Sequence, residues 1–79
     1  MEIKVLGPGC TRCKTLDKLT REVVQDMGLD ANVTKIEDMQ TIMEYGIMST
    51  PGLVIDEKVI LSGQVPKLKE LREIISKNI

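Results

Sequence analysis

The sequence predicts an α/β fold in the order β-α-β-α-β-β-α, a mixed four-stranded sheet with helices on both faces. Three observations carry that expectation. A short alternating segment at residues 2–6 passes through a glycine break into an amphipathic helix and then into a second alternating segment at residues 32–36. Two apolar triplets, Leu53-Val54-Ile55 and Val59-Ile60-Leu61, flank a turn at Asp56-Glu57. A last amphipathic stretch closes the chain. A strand–helix–strand start implies a parallel pair joined by a right-handed crossover, and the hairpin adds antiparallel strands on one side.

In residues 2–6 polar and apolar side chains alternate, with Ile3 and Val5 on one face, which is the period of a strand. Gly7-Pro8-Gly9 ends it. From Cys13 to Met27 the apolar residues Leu16, Leu19, Val23, Val24 and Met27 recur at helical spacing. Asp17 lies in the first half of this helix, and Gly28 follows as a left-handed cap. Residues 32–36 form the second strand. Asp38 is the N-cap of a second helix, whose expected buried stripe is Met39, Ile42 and Met43 and whose end is Gly46. Ser49-Thr50-Pro51-Gly52 breaks the chain before the hairpin. The last helix begins near Pro66, a favourable first-turn residue, with Leu68, Leu71, Ile74 and Ile75 on its inner face. There is no internal repeat, low-complexity tract or linker, so residues 1–79 are expected to form a single domain.

Composition narrows the partners. Of 79 residues, 42% are hydrophobic and 29% charged, the balance of a globular chain. Tyr45 is the only aromatic residue, which leaves no stacking platform for single-stranded nucleic acid. The net charge of −1 draws the chain neither to nucleic acid nor to an anionic membrane. No apolar run approaches the roughly 20 residues of a membrane span, and residues 1–6 are too short and too alternating for a signal peptide. The expectation is a cytoplasmic monomer. The five methionines include Met27, Met39 and Met43 on helical stripes, and core packing is the expected use of these three.

The chain holds two cysteines, Cys10 and Cys13. A loop closed three residues apart removes little unfolded-state entropy, and a reducing compartment disfavours a structural disulfide. Redox catalysis or metal binding remains. Cys10 lies where the first strand turns into a helix, and a helix N-terminus stabilises a thiolate. Arg12 and Lys14 add positive charge. Cys13 lies one turn inside the helix and is less exposed. Cys10 is therefore the expected nucleophile that forms a mixed disulfide, and Cys13 the resolving thiol. With no His and two Cys, one chain cannot supply four nitrogen and sulfur ligands to zinc. The alternative is a copper or zinc metallochaperone using the CxxC, although such domains run β-α-β-β-α-β and end on a strand.

Gly9-Cys10-Thr11-Arg12-Cys13 and Ser49-Thr50-Pro51-Gly52, about 40 residues apart, together with the element order, resemble the thioredoxin/glutaredoxin superfamily. The chain is most similar there to the small thioredoxin-like redox-active disulfide proteins of archaea and anaerobic bacteria. The resemblance implies a thioredoxin-like fold and a cis Thr50–Pro51 bond packed against the CxxC. It also implies a protein thiol–disulfide oxidoreductase acting on disulfide-containing protein substrates. Gly9, Thr11, Arg12, Met48, Thr50 and Pro51 would shape the site and bind substrate, with Ile47 beside Met48 on an apolar docking surface. No cofactor or metal is implied beyond the redox-active Cys10-Cys13 disulfide. Four positions depart from the thioredoxin pattern. Gly9 replaces an aromatic residue, Thr11-Arg12 replaces Gly-Pro, and Lys4 replaces a buried carboxylate. Ser62-Gly63-Gln64-Val65-Pro66 lacks the Gly-Gly-x-x-Asp stretch of glutathione binders. The expected reductant is thus a thioredoxin reductase or a ferredoxin-linked reductase, and not glutathione.

Overall fold

A computed structural model describes residues 1–9, 11–47 and 49–78. The elements are β1 (Glu2–Leu6), α1 (Thr11–Asp26), β2 (Asn32–Ile36), α2 (Met39–Glu44), β3 (Gly52–Ile55), β4 (Lys58–Ser62) and α3 (Leu68–Lys77). The sheet order is β2-β1-β3-β4. β1 pairs in parallel with β2, from Glu2 opposite Asn32 to Leu6 opposite Ile36. It pairs antiparallel with β3, and β3 antiparallel with β4. The expected mixed sheet is therefore the observed one.

β1 is an inner strand, and both of its faces are covered. Ile3 and Val5 point into a core shared with Leu16 and Val23 of α1, Leu53 and Ile55 of β3, Leu61 of β4, and Leu71 and Ile75 of α3. Leu6 points the other way, into a smaller cluster with Ile42, Ile47 and Val54. The two-residue period of a strand thus assigns alternate side chains to the α1/α3 layer and to the α2 layer. β3 is buried along its whole length for the same reason.

The turn between β3 and β4 places Asp56 at φ 48 and Glu57 at φ 69, the left-handed pair that a two-residue hairpin loop requires. Asp56 also ties the turn to the start of β1. Its Oδ1 accepts from the Glu2 N–H at 2.9 Å, and its own N–H donates to the Glu2 carbonyl at 2.8 Å.

Three packing details differ from the sequence reading. Met39 and Met43 are 49% and 68% exposed, so they are not part of the core. α2 has only six residues, and Ile42 alone is directed into the sheet from it. Ile47, beyond the helix end, completes that layer. Thr20 of α1 is fully buried, which apolar periodicity does not reveal. Its hydroxyl donates to the Leu16 carbonyl at 2.7 Å, so the polar atom is satisfied within the helix. Leu19, Val24 and Met27 are only partly buried, at the margin of the main core.

Candidate thiol–disulfide site

The site is assembled where β1 ends and α1 begins. Cys13 lies in the first turn of α1, is fully buried and is disulfide-bonded. The chain's other cysteine, Cys10, lies outside the described residues, and so does Met48. The expected burial of Cys13 is observed.

Gly7 makes that burial possible. A Cβ at Gly7 would stand 2.3 Å from the Cys13 Sγ and 2.7 Å from its Cβ, well inside contact distance. The Gly7 N–H donates to the Ile36 carbonyl at 2.8 Å, so the loop is held to the end of β2 and has little room to retreat. In the sequence Gly7 reads only as a strand breaker; its close approach to Cys13 appears in three dimensions alone. Gly7→Ala is expected to destabilise the protein by about 1–3 kcal/mol, the usual cost of overpacking. It should also displace Cys13 and slow disulfide exchange. Urea unfolding and a dithiothreitol-driven turnover assay read the two effects, and unchanged values in both would contradict the close-contact account.

A second set of contacts joins α1 to the loops across the sheet. The Thr50–Pro51 bond is cis, the isomer that the resemblance implies. Pro51 is buried, and its carbonyl accepts from the Gly63 N–H at 2.7 Å. The Gly63 carbonyl in turn accepts from the Arg12 Nη2 at 2.9 Å. Gly63 has φ +74, and a Cβ there would come within 2.7 Å of the Ser49 Cβ. Arg12, Gly63 and Pro51 therefore form one continuous connection between the cysteine-bearing helix and the proline loop. Gly63 was not among the expected site residues, because its role depends on backbone groups that any residue carries.

Thr11 opens α1, and its carbonyl accepts from the Thr15 hydroxyl at 3.0 Å. Thr50 lies on the α2 side, where with Met39, Ile42, Met43 and Ile47 it lines a groove of about 280 Å³. Met39 and Met43, expected in the core, instead form walls of this groove. Gly9, at φ +93, has the Glu37 carboxylate above it, with Oε2 3.8 Å from where a Cβ would be. Glu37 also pairs with Lys35 at 3.5 Å.

No buried carboxylate is found among the described residues, since Thr20 is the one buried polar side chain. Lys4 turns its ammonium toward α2 and the hairpin. It contacts Glu57 Oε1 at 2.6 Å and the Tyr45 hydroxyl at 2.8 Å, and it sits 5.5 Å from the Tyr45 ring centroid. The hydrogen bond to Glu57, then that to Tyr45, hold the Lys4 pKa above the ordinary lysine value. The same Lys4 bond holds Glu57 below the ordinary carboxylate value.

A lowered carboxylate pKa contributes stability that is present above the unfolded value and lost as pH falls through the folded one. A raised lysine pKa contributes stability present below the unfolded value and lost as pH rises through the folded one. Glu57→Gln is therefore expected to lower the melting temperature slightly between about pH 6 and 9, because the pair is solvent-screened. The gap from wild type should close as pH falls through the lowered Glu57 value and again at strongly alkaline pH. Melting curves across pH check this, and a constant gap would exclude the ion pair as its source.

A disulfide-bonded cysteine sits in the first turn of the helix that follows an inner strand, packed against Gly7. That is the setting of thiol–disulfide chemistry. No group of three or more His, Cys, Asp or Glu side chains that could hold a metal is present among the described residues.

Known proteins narrow the class. A family model described as a thioredoxin domain matches residues 1–76. The thioredoxin of Methanothermobacter thermautotrophicus is 38% identical over 76 residues, covering 96% of this chain and 99% of that one. A thioredoxin of Bacillus subtilis is 33% identical over 79 residues, covering 92% of this chain and 76% of that one. The structure of thioredoxin 1 from Thermosipho africanus has the same fold, with a TM-score of 0.66 at 18% identity over 99% of this chain and 93% of that one. The chain belongs to the thioredoxin family and is a thiol–disulfide oxidoreductase. The metallochaperone alternative finds no support among these relatives. No helix among the described residues is long and apolar enough to cross a membrane.

Proposed function

We propose that Cys10 and Cys13 are the redox pair and that the protein reduces disulfides in other proteins. The observation that carries this reading is the complete burial of the disulfide-bonded Cys13. A thiol without solvent access cannot meet an external disulfide, so attack falls to Cys10. The Cys10 thiolate attacks one sulfur of the target disulfide, forming a mixed disulfide and releasing the other target sulfur, which takes up a proton. The Cys13 thiol then loses its proton and attacks the Cys10 sulfur. The mixed disulfide breaks, and the second target thiol leaves protonated. Two electrons and two protons have passed from the Cys10/Cys13 dithiol to the target.

Gly9, Thr11, Arg12, Met48, Thr50 and Pro51 form the rim that faces the substrate in this reading, supported by the Arg12–Gly63–Pro51 connection. With no buried acid among the described residues, the Cys13 proton passes to water or to another group. A thioredoxin reductase or a ferredoxin-linked reductase, rather than glutathione, restores the dithiol. The protein works without a cofactor, as one domain over residues 1–79, monomeric and cytoplasmic, with no part for nucleic acid or membrane. The element order and the family match over residues 1–76 support the single-domain and cofactor-free parts of this reading.

The test is insulin reduction driven by dithiothreitol, together with metal analysis of the purified protein. Turnover with no bound metal is the expected result. Stoichiometric copper or zinc with no turnover would overturn the proposal.

A further inference from the structure

Of the three arginines in the chain, Arg21 pairs with Asp17 at 3.1 Å and Arg72 pairs with Asp26. Arg12 is different. It is exposed, and its one contact among the described residues is with a neutral acceptor, the Gly63 carbonyl at 2.9 Å. That bond fixes the direction of the guanidinium across the gap between α1 and the β4–α3 loop. It also places the charge beside the Pro51 carbonyl's own donor, the Gly63 N–H. A guanidinium carries five N–H donors in a rigid fork, and a single carbonyl leaves most of them unused. The first turn of α1 supplies no acidic residue to take them. Glu37, the carboxylate on the other side of the cysteine loop at Gly9, is engaged by Lys35.

We propose that Arg12 is a specificity-determining residue that favours protein disulfides with a carboxylate beside the attacked cysteine. The proposal rests on the reading of Cys10 and Cys13 as the redox pair, since Arg12 stands between them in sequence. A carboxylate matches the unused N–H pair of the fork, and the bond to Gly63 keeps that pair in place before the substrate arrives. The chain as a whole has a net charge of only −1, so any preference for acidic targets must come from local charge rather than from the overall field. An ion pair at a solvent-exposed rim acts mainly on association and selectivity. Its size is correspondingly modest, about three- to fivefold in rate.

The experiment uses three disulfide-linked peptides that differ only in the residue next to the cysteine: Glu, Gln or Lys. The measured quantity is kcat/KM for each, in wild type, Arg12→Gln, Arg12→Lys and Lys14→Gln. Wild type should prefer the Glu peptide over the Gln peptide by about three- to fivefold, and raised ionic strength should reduce that ratio. The ratio should fall to one in Arg12→Gln, survive in part in Arg12→Lys and persist in Lys14→Gln. Because it is taken within each variant, a general loss of folding or rate cancels. Equal rates on all three peptides in wild type would overturn the inference alone. So would an unchanged ratio in Arg12→Gln, or a ratio abolished equally in Lys14→Gln. Failure of wild type to reduce any of the peptides would instead overturn the protein-disulfide reading beneath it.

Discussion

Cys13→Ser is expected to accumulate a covalent mixed disulfide with its substrate, and Cys10→Ser to lose turnover by roughly a thousandfold or more, as when a nucleophile is removed. The two variants differ because the two steps differ. Without Cys13 the first attack still proceeds, but no thiol is present to break the bond that results. Serine cannot substitute, since its hydroxyl is not ionised at neutral pH and its oxygen is a poor nucleophile toward sulfur. Without Cys10 the remaining thiol is Cys13, which is fully buried behind Gly7. A non-reducing gel and mass spectrometry detect the trapped species in Cys13→Ser, and dithiothreitol should release it. Substantial turnover by Cys10→Ser would mean that Cys13 reaches solvent, and the assignment of roles would be lost. Absence of any adduct in Cys13→Ser would count against a mixed-disulfide route.

Much of this architecture was legible in the sequence because short-range patterns fix it. The alternation in residues 2–6 and 32–36 and the 3.6-residue spacing after Cys13 reflect which side of an element faces the core. The observed β1 and β2 coincide with those segments. Asp38 caps α2 as expected, with Oδ2 accepting from the Thr41 N–H at 3.2 Å and from its hydroxyl at 2.8 Å. Patterning failed where a helix is too short to present a full face. Met39 and Met43 have the right spacing, yet six residues give the sheet one contact point, at Ile42.

The site divides in the same way. Cys13 and the Thr50-Pro51 pair stand out because the residue types themselves carry chemistry or backbone constraint. Gly63, Glu37 and the buried side of Gly7 do not, since each acts through a contact between segments distant in sequence. Gly63 lies 51 residues from Arg12, and no local pattern encodes that bond. One signal was available in retrospect. Gly7 and Gly9 flank a proline between a strand and a cysteine-bearing helix, a place where a close backbone approach is worth expecting.

Leu16→Ala is expected to produce the largest loss of stability among single truncations of α1. Leu16 is fully buried, lies one turn beyond Cys13, and packs into the cluster formed by β1, β3, β4 and α3. Removing a buried leucine side chain typically costs about 2–5 kcal/mol, depending on how far the surroundings collapse into the space. For a chain of 79 residues the total stability scales to roughly 4–12 kcal/mol, so this one change consumes a large share of it. The melting temperature should fall by at least about 10 °C, and the urea midpoint should drop with the slope unchanged. Leu19→Ala, at a half-buried position in the same helix, should cost distinctly less, and Leu16→Met less than about 1.5 kcal/mol because volume is conserved. The consequence reaches the site because Leu16 anchors the turn of α1 that carries Cys13 against the sheet. Disulfide exchange in Leu16→Ala should therefore decline at temperatures below its own melting transition, whereas in Leu19→Ala it should not. A loss below about 1 kcal/mol in Leu16→Ala would mean that Val23 and the rest of the helix hold α1 in place by themselves. The position of Cys13 would then owe little to Leu16.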